Sequence, residues 1–150
     1  MDFCTSHTVV RIHSVEKYEN HIFSNTGSPH HVQFESEIET FDIKAKGSKI
    51  RYGAPYNQIG TNVNFVNKLT DSDFRVRTYE RGVEDETLSC GTGVTAVAIA
   101  MHYIGKTGEN QVTLKVQGGE LRVTFDFNDG SYSNVWLIGP ASFVYKGELI

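Results

Sequence analysis

The sequence predicts an α+β fold in which a curled antiparallel sheet, or barrel, wraps around one buried helix. Short segments with alternating apolar and polar residues recur along the chain, which is typical of strands with one buried face. The segment VTAVAIAM, residues 94–101, is apolar on nearly every side, which is typical of a helix inside a core. An Asn-Asp-Gly turn at residues 128–130 indicates a hairpin between two strands.

The first half of the chain is predicted to hold strands and one helix. The opening 20 residues show little pattern. Strands are expected at residues 21–24 and 31–35, on either side of a turn that contains Asn, Gly and Pro. Residues 38–53 predict a loosely amphipathic helix. Alternation then predicts strands at residues 62–67 and 74–79.

The second half is predicted to begin with the central helix and to continue as strands. Five apolar residues after Cys90 follow the i, i+3, i+4, i+7 spacing of a helix: Val94, Val97, Ala98, Met101 and Ile104. Four further segments predict strands, at residues 111–116, 121–127, 132–138 and 141–146. A sheet of this kind that closes on itself would hide its edges.

Length and composition indicate one ordinary globular domain over residues 1–150. The net charge of −4, from 14 basic and 18 acidic residues, gives no basic surface for nucleic acid or an anionic membrane. A small molecule or a protein is therefore the expected partner. The first ten residues lack the pattern of a secretory signal, so a cytoplasmic location is expected. Two cysteines without zinc-ligand spacing predict neither a disulfide framework nor a metal site, and Cys4 has no assigned role.

Cys90 is the central candidate for chemistry. It stands in the segment Ser-Cys-Gly-Thr-Gly, residues 89–93, between a polar loop and the apolar helix. The sulfur is expected in the first helical turn, where unpaired N–H groups and the helix dipole would lower its pKa and stabilise a thiolate. The glycines would let an anionic ligand approach the backbone. The alternative is that Cys90 is a small buried apolar residue and the glycines relieve a tight turn.

Several polar residues lie within or beside the predicted strand ends. Glu80 and Arg81 end the strand before Cys90, where they are either solvated or paired with the two ends of an amino-acid group. His30 follows a proline turn and Asn62 lies among apolar residues, and both have structural readings as well. The acidic run Glu84 to Glu86 is expected to be a solvated loop.

Four motifs taken together resemble a known family. In order they are NTGSPHH at residues 25–31, GTNVNFV at 60–66, YERGVEDETLSCGTG at 79–93 and GPASFVYKGEL at 139–149. They resemble the C-terminal half of the diaminopimelate epimerase family from about residue 20 to the end. Proline racemases and phenazine-type isomerases are expected to share the architecture without this arrangement of motifs.

The resemblance implies an isomerase that interconverts LL- and meso-diaminopimelate without a cofactor. In this family one cysteine removes the α-proton and a second cysteine returns a proton on the opposite face. The resemblance implies that Cys90 is one of the pair, with His30 and Glu80 modulating the thiols. It also implies a group of substrate-binding residues: Asn62, Glu80, Arg81, Gly91 and Thr92.

The chain departs from the family pattern in three ways. Ser28 stands where many relatives have asparagine, and Glu84-Asp85 stands where a single residue is common, a change expected to affect only the shape of the loop. The N-terminal lobe and its cysteine are absent from the sequence. The expected partner is therefore an N-terminal lobe supplied in trans or a second copy of this chain. The alternative is a catalytically incomplete module that binds an amino acid or another protein.

Overall fold

The computed structural model describes residues 4–149, with side chains from residue 7 onward. Cys4 lies in the first strand, and its side chain is outside the described part. The elements in chain order are β1 (Cys4–Val9), β2 (Ser14–Lys17), β3 (Ile22–Asn25), β4 (Pro29–Phe34), α1 (Ile43–Tyr52), β5 (Asn62–Lys68), β6 (Asp73–Glu80), β7 (Asp85–Thr87), α2 (Gly91–Tyr103), β8 (Gln111–Val116), β9 (Gly119–Asn128) and β10 (Ser131–Ala141).

All ten strands belong to one sheet that curls around α2. Its strand order is β1-β10-β9-β8-β6-β5-β4-β3-β2, and β7 pairs with β6 beside this path. The two end strands, β1 and β2, are joined by residues 10–13 alone, so the ends of the sheet lie within about 18 Å of each other. A path of nine strands whose two end strands lie this close together must curl. The predicted α+β class with a curled sheet around a buried helix is confirmed.

The sheet is mixed, whereas the sequence predicted antiparallel pairing throughout. β4 pairs with β5 in parallel, and so does β6 with β8. Each parallel pair is connected through a helix, α1 in the first case and α2 in the second. Parallel neighbours need such a crossover because a tight turn can join only antiparallel strands.

The two faces of the sheet bury different helices. On the inner face, Val66, Phe74 and Val76 pack with α2 in the main core. On the outer face, Val63 and Phe65 form a smaller core with Ile43 of α1 and its neighbours. Because side chains alternate along a strand, Asn62 and Asn64 share the inner face with Val66. The polar residues of β5 therefore face the start of α2.

Most predicted elements are confirmed, but the two ends of the chain are not. β1 and β2 lie in the opening 20 residues, where polar composition concealed strands whose pairing depends on β10 and β3. The strand predicted at residues 141–146 is wrong, because β10 ends at Ala141 and residues 142–149 have no neighbouring strand. α1 is shorter than predicted and starts after Asp42, whose carboxylate accepts from the amide of Ala45 at 3.0 Å. No helix between residues 4 and 149 is long and apolar enough to cross a membrane.

Candidate active site

Three of the predicted site residues lie side by side on adjacent strands. His30 of β4 is the register partner of Asn62 in β5. β5 also pairs with β6, where Asn64 lies opposite Thr78. Because this pairing is antiparallel, Asn62 lies across from Glu80 at the end of β6. All three share the inner face of the sheet with the core that packs on α2. The structure thus brings His30, Asn62 and Glu80 together near the start of that helix.

Cys90 is the N-cap residue of α2, immediately before the first helical turn in which the sequence placed its sulfur. Its extended backbone (φ −131°, ψ 108°) ends the polar loop, and Val94 N–H donates to its carbonyl at 2.9 Å. The sulfur lies 3.6 Å from Oγ1 of Thr92, and the amides of Gly93 and Thr92 point toward it. The residue is only 8% exposed. The thiol is therefore enclosed at the helix start.

The pKa of Cys90 differs in direction from the sequence prediction. Burial raises this pKa, and the negative charge of Glu80 adds to the increase. Hydrogen bonds from Thr92 and Gly93 lower it, but they do not outweigh burial. The predicted lowering was wrong because a sequence shows the helix start but not the loss of water around the sulfur. In this chain the group is a protonated thiol at neutral pH.

The first turn of α2 presents backbone N–H groups beside the thiol. The amides of Gly91, Thr92 and Gly93 precede the first intrahelical donor, so the helix itself does not satisfy them. Gly91 packs against Leu137, where an added Cβ would lie 2.8 Å from Cδ2. The carbonyl of Thr92 accepts from Thr26 Oγ1 at 3.2 Å, which fixes this turn to the end of β3. The arrangement can hold an anion such as a carboxylate.

His30 is completely buried and neutral. Burial lowers its pKa to about 3, with the positive charge of Arg81 as a second cause. The side-chain nitrogen of Asn64 lies 3.2 Å from Nδ1, so Nδ1 accepts and the proton is assigned to Nε2. Within residues 7–149, Nε2 has no hydrogen-bond partner. His30 is therefore a neutral donor at the site.

Asn62 links the two loops that border the site. Its oxygen accepts from the Arg81 amide at 2.9 Å. Its nitrogen donates to Ser28 Oγ at 2.8 Å and to the Pro29 carbonyl at 3.0 Å. Ser28, whose role the sequence left open, thus contacts Asn62. The predicted contacts of Asn62 and Arg81 with substrate remain predictions.

Asn64, which alternates with apolar residues in the same segment as Asn62, is an important residue that the sequence did not assign to the site. It is completely buried, donates to His30 and to the carbonyl of His31, and accepts from Thr78 Oγ1 at 3.0 Å. Its oxygen also packs against Gly93, where an added Cβ would lie 2.5 Å away. Asn64 therefore connects His30 to the first turn of α2. The available signal was an asparagine on the inward-facing side of an otherwise apolar strand.

The acidic run after Arg81 is not a solvated loop, and that prediction was wrong. Glu86 receives two bonds of 2.7 Å from Arg77. Asp85 pairs with Lys44 at 2.7 Å and Glu84 pairs with Arg51 at 3.0 Å. Each carboxylate thus has a cationic partner from β6 or α1. The sequence did not show these pairs because the cations lie between 9 and 41 residues away along the chain.

The family model and the similar proteins all point to one family. The family model described as diaminopimelate epimerase matches residues 22–144. A diaminopimelate epimerase of Flavobacterium psychrophilum is 53% identical over 135 residues, covering 90% of this chain and 53% of that protein. One of a Hydrogenobaculum species is 45% identical over 130 residues, covering 85% and 45%. The chain therefore spans about half the length of the curated relatives it matches.

A solved structure supports the fold. The chain is similar to a hydroxyproline epimerase from Agrobacterium vitis, with a TM-score of 0.58 and 17% sequence identity. The match covers 96% of this chain and 51% of the other. At this identity the likeness concerns the fold alone.

Proposed function

This chain belongs to the diaminopimelate epimerase family, and we propose that it forms the C-terminal lobe of such an enzyme. The lobe contributes Cys90, one of two thiols that interconvert LL- and meso-diaminopimelate without pyridoxal phosphate. The observation that carries this proposal is the position of Cys90. Its sulfur lies at the start of a buried helix, beneath the amides of Thr92 and Gly93 and within electrostatic reach of Glu80.

The raised pKa of Cys90 supports the acid role for this thiol in the resting lobe. A thiolate from the second lobe removes the α-proton, and the electron pair of the broken C–H bond stays on the α-carbon. Cys90 then donates its S–H proton to the opposite face and is left as a thiolate. In the reverse direction that thiolate takes the proton back. One thiol and one thiolate are the pair that this exchange requires.

The helix start supports the charge that develops in this step. An amino-acid α-proton is weakly acidic, so the carbanion needs stabilisation through the adjacent carboxylate. The amides of Gly91 and Thr92 are proposed to bind that carboxylate at the positive end of the α2 dipole. Since α2 is buried from Gly93 to Met101, these donors are held in place before substrate binds.

The second end of the substrate is assigned to the β6 loop. Arg81 offers a planar guanidinium for the distal carboxylate, and Glu80 can accept from the distal ammonium. Asn62 orients Arg81 through the backbone bond of 2.9 Å. His30, neutral and buried, is proposed to donate through Nε2 toward the reacting groups.

A second lobe is proposed to cover this face of the chain. Three large apolar side chains on the bordering loops are exposed: Ile59 (81%), Val83 (57%) and Leu88 (67%). Apolar groups clustered around a polar site are typical of a surface that another unit covers. A separate N-terminal lobe would bring the second cysteine and exclude water from the site.

The test is exchange of the substrate α-proton in deuterated water. This chain is mixed with the N-terminal lobe of a family member, and deuterium at the α-carbon is followed by mass spectrometry. We expect exchange in the mixture that is absent from each lobe alone and from a mixture made with Cys90→Ala. Equal exchange with and without this chain would contradict the proposal.

A binding module is the second candidate, because the helix start and Arg81 are both present in this chain without the other lobe. Calorimetry of the isolated chain with diaminopimelate separates the two functions. Heat of binding without exchange in any mixture would favour the module. Sizing by light scattering also tests whether two copies of this chain pair to bring two Cys90 thiols together.

A further inference from the structure

The loop that carries Arg81 has an unusual backbone. Gly82 has a φ of 97° and Glu84 has a φ of 61°, and the amide of Glu84 closes the loop onto the carbonyl of Glu80 at 2.8 Å. A positive φ is uncommon for glutamate, because its Cβ meets the backbone there. Contacts of the Glu84 side chain must therefore hold this conformation.

The Glu84 carboxylate is bound on both oxygens. Oε1 accepts from Arg51 Nε at 3.1 Å and from the Gly82 amide at 3.0 Å. Oε2 accepts from the hydroxyl of Tyr79 at 3.2 Å. Burial acts to raise the pKa of Glu84, but the hydrogen bonds from the Gly82 amide and Arg51 lower this pKa by a larger amount. The carboxyl group is therefore an anion. The carboxylate thus stabilises the loop through the Gly82 amide, within the loop, and through Arg51 of α1.

Arg51 also contacts the segment at Ile59 and Gly60 that binds the Arg81 guanidinium. Its side chain is 11% exposed, and its guanidinium lies 4.4 Å from the ring centre of Tyr52. The backbone of Gly60 lies so close to that guanidinium that an added Cβ would overlap Nη1. The preceding carbonyl, of Ile59, accepts from Arg81 Nη1 at 2.9 Å. Arg51 therefore underlies both the loop that carries Arg81 and the carbonyl that orients its guanidinium.

The same loop has a matched pair that lacks these features. Lys44 and Asp85 also join α1 to the loop, at 2.7 Å, but their side chains are 68% and 48% exposed. Among the described residues, the hydrogen bonds of the Asp85 carboxylate come from Lys44 and the Glu86 amide, and not from Arg51, Gly82 or Tyr79. Exposed pairs of this kind contribute little to stability. The adjacent acids Glu84 and Asp85 thus differ in their predicted importance.

We propose that Arg51 and Glu84 are positioning residues that hold Arg81 in the orientation needed to bind the distal carboxylate of the substrate. This inference rests on the proposed function for its substrate. The sequence at Glu84 and Asp85 then affects more than the shape of the loop, because Glu84 connects the loop to α1 on the outer face of the sheet. Loss of the pair should weaken substrate binding without changing the chemistry at Cys90.

The first experiment needs no enzyme activity. Hydrogen exchange of the peptide over residues 80–87 is measured in this chain and in Glu84→Gln, Arg51→Met and Asp85→Asn. We expect exchange about tenfold faster in the first two variants, as loss of a charge-assisted bond allows, and no change in Asp85→Asn. Equal exchange in Glu84→Gln and Asp85→Asn would overturn the inference. If Arg51→Met does not fold, Glu84→Gln alone decides.

The second experiment uses the chain assembled with an N-terminal lobe. Glu84→Gln should raise KM about tenfold and change kcat less than about twofold, which is the pattern of lost substrate binding. Arg51→Lys, which keeps the charge but not the planar contact, should lie between wild type and Arg51→Met. A fall in kcat with unchanged KM would overturn the inference. Absence of turnover in the wild-type assembly would reject the proposed function instead, and the hydrogen exchange result would still stand.

Discussion

The two helices of this chain are held in place by different forces. α2 is buried at every residue from Gly93 to Met101 and packs inside the sheet. α1 buries only Ile43, Gly47 and Arg51, and its ion pairs join it to the loop after β6. In the proposed enzyme α2 positions the thiol and α1 positions Arg81. The groups that bind the reacting end of the substrate are then held in place by the packing of α2. Those that bind the distal end are held in place by the ion pairs of α1.

Removal of the thiol should have the largest effect. In the assembled enzyme, Cys90→Ala is expected to lower kcat by about 10³-fold or more, because a general acid and base is lost. Cys90→Ser should be severely impaired as well, since a hydroxyl is a far weaker acid. Circular dichroism should show an unchanged fold in both variants. Turnover at the wild-type rate in either variant would make Cys90 structural.

Truncation of a buried side chain in α2 should lower stability much more than truncation of an exposed side chain in α1. Met101 is completely buried, so Met101→Ala is expected to lower the free energy of unfolding by about 2 to 5 kcal/mol. Lys46→Ala, on the exposed side of α1, is the matched control and should leave that free energy unchanged. Urea denaturation measures both. A similar loss in the two variants would contradict the difference in burial on which the comparison rests.

The contact between α2 and the site should also be sensitive to one added methyl group. In Gly93→Ala the new Cβ would lie 2.5 Å from Asn64 Oδ1 and 3.2 Å from the Cys90 sulfur. Overpacking of this kind costs about 1 to 3 kcal/mol, and it should also slow α-proton exchange. Gly108→Ala meets no atom within 4 Å and serves as the control. Equal stability of the two variants would show that the first turn can move away from β5.

The two histidines of β4 should make the stability of the folded chain depend on pH. His30 faces α2 and His31 faces the outer side, and burial lowers their pKa values to about 3 and about 4. The unfolded chain binds protons on both below about pH 6.5 while the folded chain does not, so stability falls as the pH decreases. Between pH 4.5 and 5.5, His30→Gln should reduce this slope by about 1.4 kcal/mol per pH unit. An unchanged slope would mean that His30 is protonated in the folded chain.

The sequence predicted those features that depend on local pattern. The apolar repeat after Cys90 located α2, and alternation located β5, β6 and β8 to within a residue or two. Three of the four motifs map to β4, β5, β6 and the start of α2, where the candidate site lies. A continuous apolar run and a glycine-flanked cysteine are readable without knowledge of distant neighbours.

Features that depend on distant neighbours were not predicted. The edge strands β1 and β2 exist because β10 and β3 offer hydrogen bonds, not because their own residues are strongly apolar. Glu84 pairs with a residue 33 positions away, so its run of acids resembled a solvated loop. The pKa of Cys90 depends on how much water the folded sheet excludes. Local sequence contains none of this information.

The most direct test of the account is the pKa of the Cys90 thiol. Absorbance at 240 nm is followed against pH in the folded chain as the difference between Cys4→Ser and Cys4→Ser/Cys90→Ala, so that the tyrosine signal cancels and only the Cys90 thiolate remains. We expect a pKa above the ordinary value near 8.5, because the thiol is enclosed and donates a proton. A pKa below 7 would mean that Cys90 rests as a thiolate, and its role as the acid of the pair would be contradicted.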